Sequence, residues 1–200
     1  MDNILISEEL KSIISKDSDI FEYLRKPELD IVEIWNKRED FRSGTSWHIP
    51  TKELVDSLVE YSPIVSVGSG FGYTESLAIK EGADIISTDL CPDKKNHWCR
   101  DGEFYCEVEK IKADEAVKKY KDRNVFMAWP PYDNTMAAEV ANAMDVGRYL
   151  IFVGESYGGC TGDDNFFELL SENFEVVNDD IPIPNWPGIR DECVIYKKIK

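Results

Sequence analysis

The chain contains no apolar run that approaches the length needed to cross a bilayer. A membrane-spanning helix needs about 20 consecutive apolar residues, and the longest apolar stretches here are far shorter. The first ten residues, MDNILISEEL, carry acidic side chains, whereas a secretory signal peptide begins with a basic segment. We therefore expect a protein with no membrane partner that is not exported, and we predict a cytoplasmic location.

Basic residues are also scarce. The 23 Lys and Arg residues face 39 Asp and Glu residues, which gives a formal net charge of -16. Proteins that grip a duplex usually present a basic patch to its phosphates. The two dense basic stretches, residues 118–123 and 197–200, are interpreted as a solvated helix face and a solubilising tail. Long nucleic acid is therefore disfavoured as a partner unless a second protein supplies the contact.

The five cysteines are an odd number and show no pairing pattern. They predict free thiols and a reducing compartment rather than a disulfide scaffold. Cys91, His97, Cys99 and Cys106 lie close together in the sequence, but they lack the short C-x2–4-C spacing of structural zinc sites. We predict buried thiols and no metal site.

The 200 residues fit one domain of ordinary size, since domains average about 150 residues. Residues 1–49 carry short apolar stripes at helical spacing and predict a helical N-terminal extension packed on the body of the protein. A helix is predicted to begin at Pro50 and Thr51 and to end before Pro63. Residues 50–200 are predicted to form that body.

From Pro63 onward, short β-rich runs alternate with helical segments, which is typical of a largely parallel sheet. The last two strands have only a loop between them and should pair antiparallel. The sequence therefore predicts an α/β three-layer sandwich with a seven-stranded, mostly parallel sheet whose last strand is antiparallel. Its strands are predicted at 63–67, 83–88, 105–111, 124–128, 148–153, 174–178 and 192–198, and its helices at 73–81, 114–121, 135–144 and 164–172.

The first predicted strand leads into a loop with three glycines, Gly68-Ser69-Gly70-Phe71-Gly72, followed by a helix. Glycines let the backbone turn sharply and approach a ligand, and a helix N-terminus offers free amide donors. Asp89 ends the next strand, where its carboxylate would accept the two ribose hydroxyls of a nucleoside. The G-x-G-x-G spacing, with Tyr73 where a dinucleotide loop has its last glycine, disfavours NAD.

These features make residues 50–200 resemble the class I S-adenosylmethionine-dependent methyltransferases, which have a Rossmann-like domain. The resemblance implies S-adenosylmethionine as cofactor, held by Gly68, Ser69, Gly70 and Gly72 at its methionine part. It implies that Asp89 anchors the ribose, that Leu90 beside it also binds the cofactor, and that Asp114 lies near the adenine amino group. The family usually has an acid two residues before the first glycine, and this chain has Ser66 there.

A second motif, Trp129-Pro130-Pro131-Tyr132, follows the fourth predicted strand at the sheet edge where such folds bind ligands. It is similar to the (Asp/Asn)-Pro-Pro-aromatic motif of methyltransferases that modify amino groups. An indole N–H can only donate, so Trp129 cannot accept a hydrogen from an amine as Asp or Asn would. The resemblance implies an aromatic acceptor pocket formed by Trp129, Pro131 and Tyr132.

Two further residues are candidates for this pocket, and two more are candidates for covering the cofactor. Glu155 ends the fifth predicted strand and is predicted to be an acid or base, with a loop beyond it in which Thr161 or Asp163 caps the next helix. Trp186, in the proline-rich loop 181–191, is either a second pocket wall or a cover for the sheet edge. Trp47 and His48 lie in a region that often covers the cofactor in this family.

The resulting hypothesis is S-adenosylmethionine-dependent methyl transfer to a small molecule, a nucleotide or a protein end. One alternative is a non-catalytic protein that kept the fold and binds a protein partner, which the unusual Ser66 and Trp129 favour. Another alternative is an oxidoreductase that uses a dinucleotide. The sequence leaves the acceptor open.

Overall fold

The computed structural model describes Leu24 and residues 30–92 and 103–200. The predicted apolar stripes before residue 30, apart from Leu24, lie outside the described residues, as do His97 and Cys99. The helices are α1 (Ile31–Gly44), α2 (Lys52–Glu60), α3 (Tyr73–Lys80), α4 (Ala113–Lys119), α5 (Met136–Ala143) and α6 (Asp164–Asn173). The strands are β1 (Ile64–Val67), β2 (Ile85–Asp89), β3 (Val108–Lys110), β4 (Asn124–Ala128), β5 (Tyr149–Glu155), β6 (Phe174–Ile181) and β7 (Asp191–Lys198).

The strands form a seven-stranded sheet in the order β3-β2-β1-β4-β5-β7-β6. The first five strands are parallel, and β7 runs antiparallel to both β5 and β6. The predicted fold class is therefore confirmed. The strand order reverses at β1 and β4, so the loops after these two strands diverge and leave a crevice at the carboxyl edge.

The helix starts follow from side chains that satisfy the free N–H groups of the first turn. Asp30 accepts from the N–H of Val32 at 2.9 Å, and Thr51 accepts from that of Leu54 at 3.2 Å. Asp163 accepts from the N–H of Phe166 at 3.1 Å, so Asp163 rather than Thr161 caps α6.

The apolar core lies on both faces of the sheet. On one face, residues of α1, α2 and α3 pack in a single cluster with strand residues and Trp186. On the other face, residues of α4, α5 and α6 pack against the alternate strand residues. Helix α1 contributes Ile34 and Phe41 to the first cluster. This arrangement gives the predicted three layers, while the proposed division of the chain at residue 49 stays a prediction.

Strand β3 is shorter than predicted, because residues 105–107 precede it without joining the ladder. Strand β6 is longer and continues to Ile181 with irregular register against β7. Within the described ranges, every helix is too short or too polar to cross a membrane.

The prediction that Lys198 belongs to a solvated tail is wrong. Lys198 lies in β7 and is buried, and its ammonium donates to the carbonyls of Ala141 at 2.8 Å, Asn142 at 3.3 Å and Met144 at 2.8 Å. These carbonyls are the unpaired acceptors at the C-terminal end of α5, where a cation is favourable. Lys198 therefore joins the last strand to a helix on the face of the sheet.

Replacing Lys198 by Met should destabilise the protein, because three buried carbonyls would lose a charged donor. We expect Lys198→Met to lower the free energy of unfolding by about 1–3 kcal/mol. Lys200→Met, at an exposed position, should change it by less than about 0.5 kcal/mol. Urea unfolding of the two variants checks this, and equal stability of both would contradict the capping role.

Candidate functional site

The loop between β1 and α3 follows a path that favours glycine. Gly68, Gly70 and Gly72 have φ angles of 69°, 57° and 72°, a region that residues with a Cβ rarely adopt. The loop is closed by a hydrogen bond from the N–H of Gly72 to the carbonyl of Ser69 at 2.9 Å. These turns expose the backbone of Gly68, Ser69 and Gly70 at the carboxyl edge of the sheet.

Asp89, at the end of β2, holds this loop in place. Its Oδ2 accepts from the N–H of Gly70 at 3.1 Å, and its Oδ1 accepts from the N–H of Cys91 at 2.8 Å. The side chain is largely buried, and burial raises the pKa of Asp89 while these two N–H groups oppose the rise. The carboxylate thus links the tip of β2 to the loop after β1.

A cavity of about 840 Å³ opens between these elements. Three segments enclose it: the glycine loop with the end of β2, the loop after β4, and residues 45–48 after α1. The predicted site residues that the structure brings to its walls are Gly68, Ser69, Gly70, Asp89, Leu90, Trp129, Pro131 and Tyr132.

Gly72 does not line the cavity. A Cβ at Gly72 would overlap the sulfur of Cys106, which lies beneath the loop. The Cys106 thiol also contacts the hydroxyl of Ser87 at 3.3 Å. Gly72 is therefore needed for packing between the loop and the segment before β3, and it does not contact the cavity.

Asp114 is also absent from the cavity wall, although its neighbours Lys112 and Ala113 are part of it. Its carboxylate lies 3.2 Å from the ammonium of Lys112 and 2.7 Å from that of Lys118. These ion pairs keep the pKa of Asp114 low, mainly through Lys118. The structure thus places Asp114 in the surface ion pairs of α4 and not at the wall.

Glu155 does not line the cavity either. Its Oε2 accepts from the N–H of Cys160 at 2.8 Å, and its Oε1 accepts from the N–H of Arg190 at 2.9 Å. The buried carboxylate therefore ties the loop after β5 to the loop before β7. Its two oxygens serve these backbone groups, so the geometry does not favour the predicted acid or base role.

Trp186 belongs to the core and not to the pocket. Only 1% of its surface is exposed, and its ring lies 6.0 Å from that of Phe41 in α1. The loop 181–191 folds inward because this large side chain fills the space between α1 and the sheet. The alternative in which Trp186 forms a second pocket wall is wrong.

Glu75 is a cavity residue to which the sequence analysis assigned no role. It lies in the first turn of α3, only 4% of its surface is exposed, and it lines the cavity. Its Oε1 accepts from the hydroxyl of Ser66 at 2.6 Å, and Ser69 donates to the Ser66 hydroxyl at 3.0 Å. Burial raises the pKa of Glu75. The available signal was an acid in the first turn of the predicted helix, directly after the glycine loop.

Glu75 lies beside the position where the family usually has its acid. Ser66 occupies that position and is hydrogen-bonded to Glu75. A buried carboxylate of helix α3 thus lies next to this position of strand β1. The helix N-terminus stabilises an anion at this point.

Residues 45–48 form a short strap that lines the cavity. The buried His48 faces Thr74, with 3.1 Å between Nε2 and Oγ1, and burial lowers the pKa of His48 to about 3. Ser46 donates to the carbonyl of His48 at 2.6 Å. A neutral imidazole thus fixes the strap to α3, and the covering of a cofactor by this region stays a prediction.

One wall of the cavity, the tryptophan wall, contains two tryptophans. Trp47 of the strap and Trp129 stack with ring centroids 5.2 Å apart and planes inclined by 23°. Trp129 has a φ angle of 51°, and its backbone N–H donates to the carbonyl of Val153 at 2.8 Å. The carbonyl of Pro130 accepts from the N–H of Gly162 at 2.9 Å, which fixes the loop after β4. Tyr132 is 59% exposed at the rim.

No protein-family model matches this chain, and no curated protein matches its sequence. Solved structures do resemble its fold. One is magnesium protoporphyrin IX methyltransferase (ChlM) from Synechocystis PCC 6803 with bound SAH, at a TM-score of 0.50 and 11% identity over 90% of this chain and 93% of that chain. Another is a mutant of MtNAS in complex with S-adenosylmethionine, at a TM-score of 0.50 and 12% identity over 91% of this chain and 73% of that chain. At such identities the likeness establishes the fold, and the class I methyltransferase fold predicted from the sequence is confirmed.

Gly72→Ala tests whether the glycine loop rests on Cys106. A left-handed backbone costs an alanine about 1–2 kcal/mol, and overlap with a packed neighbour adds about 1–3 kcal/mol. Gly147 has a φ of 92° with open space around its missing Cβ, so Gly147→Ala carries the backbone cost alone. Thermal or urea unfolding should show a clearly larger loss for Gly72→Ala, and equal losses would contradict the packing role.

Proposed function

We propose that this protein is an S-adenosylmethionine-dependent methyltransferase. The observation that carries the proposal is the meeting of the glycine loop and Asp89 at the wall of one cavity, at the switch point of the sheet. In open α/β sheets, nucleoside ligands bind at this point, with the ribose on an acid that ends the second strand. The fold, which solved methyltransferases share, supports the same assignment.

The residues present fit this cofactor. Asp89 lines the cavity with a carboxylate that suits the two ribose hydroxyls, and the exposed backbone of Gly68 and Gly70 leaves space for the chain of the methionine part. Glu75 is a buried carboxylate with hydroxyl donors on one side and the cavity on the other. A buried carboxylate is strongly stabilised by a cation, so Glu75 fits the positive groups of S-adenosylmethionine.

In the proposal, Leu90 and Ala113 face the adenine, since both line the cavity next to Asp89. The earlier prediction that Asp114 contacts the adenine would require its two ion pairs to open. Leu90 is 65% exposed, and a flat base packed on it would bury this apolar surface.

When bound, S-adenosylmethionine supplies a methyl group activated by the sulfonium. The protein then has to align the acceptor with that methyl and exclude water. Trp47, Trp129 and Tyr132 offer aromatic surface for stacking, and the strap of residues 45–48 covers the cavity. The cavity of about 840 Å³ is near the upper end for small-molecule sites, about 300–1,000 Å³, so it suits the cofactor with a small molecule or a nucleotide.

A second candidate is a protein that binds the cofactor and a protein partner without turnover. The observation that favours it is the withdrawal of Glu155 from the cavity, together with a Trp at the position where an amine acceptor needs an oxygen. Binding of S-adenosylmethionine without methylated product across nucleotide, peptide and small aromatic substrates, together with a stable complex on pull-down, would support this candidate.

Asp89→Asn should weaken cofactor binding, because an amide loses the charge that strengthens hydrogen bonds from the ribose. We expect the Kd for S-adenosylhomocysteine to rise about 10- to 100-fold, the effect of losing a charge-assisted bond worth about 1.5–3 kcal/mol. Asp56→Asn, on the exposed face of α2, is the matched control. Isothermal titration calorimetry that gives one Kd for all three proteins would refute the ribose assignment.

Glu75→Gln tests the counter-charge. The substitution should weaken S-adenosylmethionine binding about 10-fold or more, as expected for an ion pair removed from a buried site. Burial raises the pKa of Glu75, and a cation favours the ionised form, so the affinity of the wild type should increase with pH through that raised pKa. Glu81→Gln, exposed after the same helix, is the control. An unchanged Kd and an unchanged pH profile in Glu75→Gln would rule out the assignment.

A further inference from the structure

A group of buried polar side chains lies directly behind the tryptophan wall. It comprises Arg38 of α1, Asp191 at the start of β7 and the indole N–H of Trp129. Arg38 and Asp191 are each 5% exposed. The Nε of Arg38, the Nε1 of Trp129 and both carboxylate oxygens of Asp191 are buried without a hydrogen-bond partner among the described residues. Such orphan groups are costly and rare in folded proteins.

The three groups are complementary in charge and hydrogen-bonding type. Asp191 can only accept when ionised, whereas the guanidinium and the indole N–H can only donate. The indole and the guanidinium lie close enough to Asp191 to act against the rise in its pKa. The arrangement thus joins one acceptor to two donors that come from two different elements around the cavity.

Glu155, the other acid here, is already engaged. It is the cross-strand neighbour of Asp191 in the pairing of β5 with β7. Its two oxygens accept from the N–H groups of Cys160 and Arg190. Glu39 contacts the Nη1 of Arg38, at 3.5 Å, and the Nε of Arg38 has no partner among the described residues. Asp191 is therefore the buried carboxylate that remains for this Nε and for the indole of Trp129.

The guanidinium of Arg38 also lies close to the rings of the wall. Its guanidinium carbon lies 5.4 Å from the ring centroid of Trp129, 5.5 Å from that of Trp47 and 5.1 Å from that of Trp35. Cation–π contacts of this kind stabilise ring positions when the cation is buried. A single side chain of α1 thus touches both rings of the wall from behind.

Trp129 requires such support, because its φ of 51° is unfavourable for a residue with a bulky side chain. Residues held in such conformations persist only where their surroundings fix them, and they cluster at functional sites. The backbone bond to Val153 fixes the main chain. The direction of the ring needs a contact of its own, and the buried Asp191 lies close enough to the indole for Trp129 to lower its pKa.

We propose that Asp191 and Arg38 are positioning residues that hold the rings of Trp129 and Trp47 together as the tryptophan wall. The proposal rests on the proposed function only in that the wall faces a methyl acceptor. Asp191 accepts from the indole N–H and serves as the counter-ion of Arg38, which in turn lies against both rings. The wall is then set by groups that never touch the acceptor.

The state of Asp191 depends on pH. Burial raises the pKa of Asp191 to about 7, with a smaller upward effect from Glu155. Trp129 and Arg38 act in the opposite direction and lower this pKa. The charged groups that face it are Glu155 from β5 and Arg38 from α1. Below this pH the carboxyl is protonated and is a weak acceptor. Above it the ionised form pairs with both donors, so the wall should be held more firmly as pH rises through about 7.

The test uses the indole N–H resonances of the full, uniformly 15N-labelled chain without ligand. Trp129→Phe identifies the Trp129 resonance by its disappearance. In the wild type we expect this resonance to shift with pH, with a midpoint near 7. In Asp191→Asn, whose side-chain oxygen still accepts from the indole but does not titrate, the shift should disappear. Asp180→Asn, at an exposed position of β6, should behave like the wild type.

A Trp129 resonance that does not move across pH 7 in the wild type would overturn the proposal, whether or not any variant folds. The same titration persisting in Asp191→Asn would overturn it as well. Both readouts are made on the free protein. A failure to bind S-adenosylhomocysteine would therefore refute the proposed function while leaving this measurement intact.

Discussion

The bond between the carboxylate of Asp89 and the N–H of Gly70 is the contact on which the site depends. It joins the end of β2 to the loop after β1, next to the point where the strand order of the sheet reverses. The loop turns through left-handed backbone at three glycines. Ser69 bonds the backbone of Thr88 in β2, donating from its N–H at 3.0 Å and accepting at its hydroxyl at 3.2 Å. The carboxylate of Asp89 adds the bond to Gly70 and borders the cavity at the same time.

Around this contact, the protein buries acidic groups at the surfaces that enclose the cavity and behind them. Glu75 lies within the wall, Asp89 at the loop and Asp191 behind Trp129, and burial raises the pKa of each. Carboxylates that are desolvated in this way reduce stability unless a partner compensates them. For Glu75 the proposed partner is a ligand cation, and for Asp191 it is Arg38 with the indole of Trp129. The proposed function thus explains charges that the fold alone does not require.

Much of the architecture could be predicted from the sequence. The alternation of short apolar runs with helical segments predicted the seven strands in their order along the chain, and the missing helix before β7 predicted its antiparallel direction. The glycine spacing and Asp89 are local signals, and they predicted the edge of the sheet at which the cavity lies. The assignment of these residues to a cofactor stays a prediction.

Features that depend on packing could not be predicted. Lys198 resembled a solvated tail residue because nothing in the sequence shows that α5 ends over β7. Trp186 and Glu155 were assigned to the pocket because a loop's position does not reveal which way its side chains point. Glu75 was overlooked because its relation to Ser66 exists only once α3 packs on β1. Asp114 was assigned to the adenine amino group by resemblance to the family, and its ion pairs with Lys112 and Lys118 do not favour that role.

A crystal structure with S-adenosylhomocysteine would show whether this cavity binds the cofactor. We expect electron density for the ligand in the cavity, with the ribose hydroxyls on Asp89 and the amino group directed toward Glu75. The thioether should then face the wall of Trp47 and Trp129. A crystal grown with saturating ligand in which the cavity stays empty, or in which the ribose lies away from Asp89, would refute the proposed function.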